Sequence, residues 1–172
     1  MSDPLSAIIL GGVIILLIIA SAFFSSAETA LTAASEPRIR QLAKTGNKQA
    51  IRVEQLRHDR EKLISTILIG NNAVNVLASA IATSAAIALT GDSGVVLATL
   101  FMTVVLVLCA EVLPKSYAFN HADKFSLKIA LTVQILVFLL TPLSWAVRSI
   151  VVFMLGTPDS DTDKREEELR GL

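Results

Sequence analysis

LSAIILGGVIILLIIASAFF, residues 5–24, carries no charged side chain over 20 positions. As a helix it reaches about 30 Å, the thickness of a bilayer's hydrocarbon core. A cleaved signal peptide is the competing reading, since residues 22–30 are rich in small side chains. However, Asp3 is the only charge ahead of the run, and the run exceeds the roughly 7–15 residues of a signal core. It reads as a retained membrane helix. The rest of the chain agrees: its 172 residues are 53% hydrophobic and only 17% charged, with a mean hydropathy of +0.64. Soluble domains carry roughly a quarter charged residues. The composition excludes a disordered chain, a disulfide framework (one Cys) and a basic nucleic-acid-binding protein, so no nucleic-acid partner is expected. What remains is an all-α integral membrane protein with the lipid bilayer around it.

Residues 36–62 change character, with eight basic side chains against four acidic ones. Pro37 suits a helix start and Thr45-Gly46-Asn47 a turn, which predicts an interfacial helical hairpin. Apolar stretches at 63–89 and 95–113 predict two further spans joined by a tight loop at 90–94. With the first, at about residues 5–34, that makes three. All 15 Lys and Arg lie at or beyond Arg38, and neither the first four residues nor the 90–94 loop holds one. The positive-inside rule then puts the N-terminus outside and the basic segments 36–62 and 114–128 in the cytoplasm.

The last apolar stretch, 129–155, has two readings. It is a fourth span, or it is two half-helices hinged at Thr141-Pro142 that return the chain to the cytoplasm. Residues 156–172, with six acidic and three basic side chains, read as a linker toward a further soluble domain absent from this sequence.

Polar side chains inside spans are costly and mark functional sites. Ser21, Ser25, Thr29 and Thr32 form one stripe at the end of the first helix, beside Ser26 and Glu28. Asn71, Asn75 and Ser79 repeat every four residues on the second. On the third, Glu111 follows eighteen uncharged residues and precedes Pro114 by three. Ser and Thr in membrane helices often bond only to their own backbone, and Lys115 is placed to pair with Glu111 across one turn. Glu28 lies near the basic hairpin, where a salt bridge is its expected role. The Ser25 hydroxyl, the Asn71 and Asn75 amide oxygens and the Glu111 carboxylate are nevertheless all hard oxygen donors. Pro114, lacking an N–H, frees the carbonyl of Ala110 as another, and Gly70 allows close backbone approach beside Asn71. His58 and His121 fall outside the spans, whose only thiol is Cys109. Oxygen donors with one carboxylate select Mg²⁺, Ca²⁺ or Na⁺ over zinc or copper. No HExxH motif, intramembrane Asp pair, Ser–His arrangement or phosphate-cradling glycine loop is present, so an enzyme is not expected.

Three segments together resemble a known family. Phe24-Ser25-Ser26-Ala27-Glu28-Thr29-Ala30-Leu31 looks like the FSxxEtAl motif of the CorC and cyclin M magnesium transporters. Ile69-Gly70-Asn71-Asn72-Ala73-Val74-Asn75 is similar to their GNxxvN motif, and Ala110-Glu111-Val112-Leu113-Pro114-Lys115 to their gEilPK motif. The resemblance implies a homodimeric membrane domain of three transmembrane helices. It also implies a broken juxtamembrane or re-entrant element over 114–155 and a cytoplasmic C-terminus. Carried onto matching positions, the Mg²⁺ ligand candidates are Ser25, Asn71, Asn75 and Glu111, with Ser21 and Ser79 as lining residues. The implied activity is Mg²⁺ export coupled to Na⁺ influx. Full-length members carry a cytoplasmic pair of CBS modules that bind ATP; this sequence ends at Leu172 before any such module, so ATP binding is not expected of it. The alternative is a membrane anchor and dimerisation module, in which Glu111 pairs with Lys115 and the Asn side chains only join helices. Alanines at 78, 82, 85 and 86 and the Gly11-Gly12 step offer close packing surfaces, within a chain or between two.

Overall fold

A computed structural model describes residues 4–91 and 93–155, with side chains for 5–91 and 93–142. The described residues are helical throughout, joined by short turns. In chain order they are α1 (Pro4–Ala33), α2 (Glu36–Lys44), α3 (Lys48–His58), α4 (Arg60–Thr90), α5 (Ser93–Val105), a π-helical segment (Leu106–Val112), α6 (Leu113–Asn120) and α7 (Ala122–Leu155).

The local chemistry explains the boundaries. Pro37 sits in the first turn of α2, where its missing N–H costs nothing. Gly46 takes φ +84° to turn the chain, and the Asn47 side chain then caps α3 by accepting from the N–H groups of Gln49 and Ala50. Asp59 caps α4 through the Lys62 N–H. α2 and α3 thus form the expected hairpin between the two long helices. α4 ends at Gly91, whose φ of +71° suits glycine, and α5 starts two residues later.

Helix α1 is the hub. It packs against α4, the π-helical segment, α6 and α7, while α7 also rests on α3 and α4. The buried core lies at the hairpin end: Phe24 to Ala34 of α1, Ile39, Val53, Leu63, Ile67, and Ala118 to Val133. The other half of α1 shows Leu5, Ile8, Ile15, Leu16 and Ile19 at its surface, and α5 shows Val96, Leu97, Leu100 and Phe101. Lipid solvates such surfaces as well as a partner helix does.

Four helices are long and apolar enough to cross a membrane, where the sequence reading counted three: 5–33, 60–90, 93–120 and 122–142. The third runs past residue 113 to Asn120, because Pro114 stands in the first turn of α6. Pro142 does not break the last stretch either, since α7 continues through it to Leu155. The Thr141 hydroxyl donates to the Val137 carbonyl beside the bond that Pro142 removes, and the break becomes at most a kink. The small-residue face of α4 is used within the chain: Ala78 is buried, and a Cβ on Gly94 of α5 would run into the Ala86 carbonyl. Residues 156–172, the predicted linker, lie outside the described residues.

Charged groups tie down the hairpin end of α1. Asp123, in the first turn of α7, accepts from the Ser35 N–H at 2.8 Å and from Arg38 Nη1 at 3.1 Å. From α3, Arg57 donates to the Ala34 and Thr32 carbonyls at 3.0 and 3.3 Å, closing the C-terminus of α1. Asp123→Ala removes both bonds and should lower stability by about 1–2 kcal/mol, since the site is partly exposed. Asp123→Asn, which keeps an acceptor for Ser35, should lose less. Thermal unfolding in detergent measures both, and an unchanged midpoint for Asp123→Ala would contradict the tie.

Candidate metal centre

Helices α1 and α4 run antiparallel, joined at one end by the hairpin. Two contacts fix their register. Ser21 Oγ donates to Asn71 Oδ1 at 2.9 Å. Phe24 lies so close to Gly70 that a Cβ there would stand 2.8 Å from its ring carbons and 3.2 Å from Leu140 of α7. The close approach expected at Gly70 is therefore real, and Phe24 is what approaches.

The hydroxyl stripe of α1 divides in two. Ser26 donates to the Ala22 and Phe23 carbonyls, Thr29 to that of Ser25 at 3.1 Å and Thr32 to that of Glu28 at 2.8 Å. These are ordinary bonds back to the helix. Ser21 and Ser25 are different: both are buried, Ser21 reaches across to α4, and Ser25 Oγ has no partner among the described residues. On α4, the side-chain oxygen of Asn75 is likewise buried without a partner. An unmet buried polar group costs about 1–3 kcal/mol, so two of them near one interhelical bond are exceptional.

Depth orders these oxygens. From Ser21, Ser25 lies one turn toward the hairpin; from Asn71, Asn75 lies one turn away from it. Ser25, the Ser21–Asn71 pair and Asn75 therefore occupy three levels spread over roughly 12 Å of the helix axes. Ser79, half-buried, continues the α4 face one turn further.

Glu111 comes from the third long helix, whose π-helical segment packs on α1. Lys115 Nζ sits 3.9 Å from Glu28 Oε2. Lys115 thus reaches α1 instead of folding back onto Glu111, and Glu28 is paired with it instead of with the hairpin. The same contact marks the register of these two parallel helices. Glu111, four residues before Lys115, falls at about the depth of Ser25, three residues before Glu28. The Glu111 side chain is half-buried and has no ion pair among the described residues.

The π-helical turn was not foreseen, although Pro114 was its signal. Without an N–H at Pro114, the fully buried Ala110 loses the donor that an α-helix would give its carbonyl, and the Leu113 N–H bonds to Leu108, five residues back. Such wide turns recur at functional sites. The thiol of Cys109 is exposed, and no group of three His, Cys, Asp or Glu occurs among the described residues. One carboxylate, two amides, two hydroxyls and a carbonyl that Pro114 leaves without its α-helical donor make an oxygen set suited to a hard cation.

Comparison with known proteins agrees with the motifs. The model of the cyclin M transmembrane N-terminal domain matches residues 12–172, and the chain belongs to this family. It is 38% identical over 156 residues, 87% of its length, to the UPF0053 inner membrane protein YfjD of Escherichia coli K12. It is 40% identical to a UPF0053 protein of Haemophilus influenzae, with 99% of the chain covered. A chloroplastic DUF21 domain-containing protein of Arabidopsis thaliana is 38% identical over 120 residues, 70% of the chain and 18% of that protein. The chain spans 36% and 41% of the length of the two bacterial relatives. It is a multi-pass membrane domain.

The Phe24–Gly70 contact generates a test. Gly70→Val would force the ring aside, costing about 1–3 kcal/mol as overpacking does, and would shift Ser25, its neighbour. Thermal unfolding should show the loss, and Phe24→Ala in the same chain should restore part of it. Gly70→Val at wild-type stability would contradict the packing.

Proposed function

We propose that this member of the cyclin M transmembrane family binds and moves Mg²⁺ across the membrane through the oxygens between α1, α4 and the π-helical segment. The observation that carries the reading is the pair of orphaned oxygens, Ser25 Oγ and Asn75 Oδ1, on either side of the Ser21–Asn71 bond. Mg²⁺ usually keeps several of its waters and takes few protein ligands directly. A partly hydrated ion at the Ser21–Asn71 level reaches donors one turn away through those waters. Glu111 supplies the negative charge, Asn71 an amide oxygen once Ser21 turns away, and the Ala110 carbonyl a further donor. Oxygens at successive depths also suit passage, because an ion can exchange partners stepwise without losing them all.

Direction and topology belong to the same proposal. The N-terminus lies outside, the hairpin and C-terminal segment lie in the cytoplasm, and α1, α4 and the α5–α6 rod are the three crossing helices. α7 starts on the cytoplasmic side, where its packing on α3 supports a juxtamembrane role. Mg²⁺ leaves the cell as Na⁺ enters, in a homodimer whose full-length chain carries a cytoplasmic CBS pair. The Gly11-Gly12 step, against which none of the described residues packs, is available to the second copy.

Titration calorimetry of the detergent-purified chain with Mg²⁺ tests the site. Saturable binding is expected in the wild type. Glu111→Gln and Asn75→Ala should weaken it by about 10- to 100-fold, as loss of a charged or buried polar contact does, while the oligomeric state persists. Mg²⁺ binding unaltered in both variants would sink the site. Absence of any heat, with a dimer loosened by Asn75→Ala, would favour the anchor reading.

A further inference from the structure

Arg60 begins α4 where the chain passes from the hairpin into the apolar stretch, and its exposed guanidinium has no hydrogen bond or ion pair among the described residues. It faces a cavity of about 360 Å³ lined also by Glu36, Arg40, Glu54, Arg57 and His58. That volume is at the lower end of the roughly 300–1,000 Å³ typical of small-ligand sites.

Much of the positive charge around this cavity is already engaged. Arg40 is held by Glu36 at 2.6 Å, and Arg57 by the α1 carbonyls. Among the described residues lining the cavity, Arg60 is the cation left over. Arg57 beside it is pressed below the ordinary arginine pKa, first by burial and then by the charge of Arg60, against the opposing pull of Glu36 and Asp123. Like charges crowded in a partly dry recess make a place for an anion. The Glu54 carboxylate, on α3, would keep that anion toward Arg60.

Below Arg60 the same face of α4 turns apolar and stays exposed. Ile64 and Leu68, four and eight residues on, are 39% and 51% exposed. A cation with an open apolar track running from it into the membrane matches a phospholipid: headgroup phosphate above, acyl chain beneath. We propose that this cavity binds the phosphate of an anionic phospholipid, with Arg60 as the principal contact and an acyl chain along Ile64 and Leu68. The site is separate from the cation oxygens and does not depend on Mg²⁺ transport.

The test uses the full chain in a neutral detergent with three probes: dihexanoyl phosphatidylglycerol, dihexanoyl phosphatidylcholine and inorganic phosphate. Phosphatidylglycerol should raise the unfolding temperature saturably, and phosphatidylcholine should not. Arg60→Gln should weaken phosphatidylglycerol binding by about 10-fold, the value of one charge-assisted contact. Arg60→Lys should restore most of it. Lys48→Gln, the same charge change at an exposed hairpin position outside the cavity, should leave binding unaltered. Arg60 has no partner to lose among the described residues, and circular dichroism with gel filtration confirms that each variant is folded. Equal weakening by Arg60→Gln and Lys48→Gln, or equal binding of phosphatidylcholine, would overturn the site. Inorganic phosphate binding as tightly as phosphatidylglycerol, and losing affinity equally in Arg60→Gln, would overturn the lipid as ligand and assign the cavity to soluble phosphate.

Discussion

Phe24 lies against the bare backbone of Gly70, and that contact fixes how closely and at what height α1 and α4 meet. In lipid there is no hydrophobic force to press two apolar helices together, so close approach and interhelical hydrogen bonds must do it. The Phe24–Gly70 contact supplies the first and the Ser21–Asn71 bond, three residues away on α1 and one on α4, supplies the second. With that register set, Ser25 and Asn75 have no choice of neighbours. Each is carried one turn past the bonded pair, in opposite directions, into a buried position where no group among the described residues answers it.

The polar economy of α1 shows which of its hydroxyls matter. Ser26, Thr29 and Thr32 close onto their own helix, so their apparent membership of a polar stripe has no consequence across the interface. At the hairpin end, charges perform a different task. Asp123, Arg57 and the Glu28–Lys115 pair anchor the end of α1 to α7, α3 and α6. Lys115 is thereby drawn away from Glu111, the one acid of the third long helix.

Much of this was legible in the sequence, and the limits have physical causes. Hydropathy placed α1 and α4 to within a few residues, because a bilayer imposes a length on uncharged runs, but it stopped the third helix seven residues short of Asn120. The Pro37, Asn47 and Gly46 signals placed the hairpin, because capping and positive φ are local chemistry. Spacing put Asn71, Asn75 and Ser79 on one face. What escaped was non-local or cooperative. Pro142 reads as a breaker in isolation, yet α7 carries it through with Thr141 bonded beside it. Asp123 and Ser35 are far apart in sequence, and no pattern announces their bond. Pairing Glu111 with Lys115 follows from helical spacing alone, whereas the actual partner of Lys115 depends on where α1 stands. The motifs assembled the oxygen donors into one notional cage; the antiparallel register instead spreads them over three depths.

On this proposal a divalent cation lies among those oxygens. Anomalous diffraction from crystals grown with Mn²⁺, a scatterer that shares the oxygen preference of Mg²⁺, locates it without reference to activity. One strong peak per chain is expected between α1 and α4 near the Asn71 amide oxygen, within direct or single-water reach of Ser25, Asn75 and Glu111. A peak only at the hairpin's acidic side chains, with Ser21 still bonded to Asn71 and none between the helices, would contradict it.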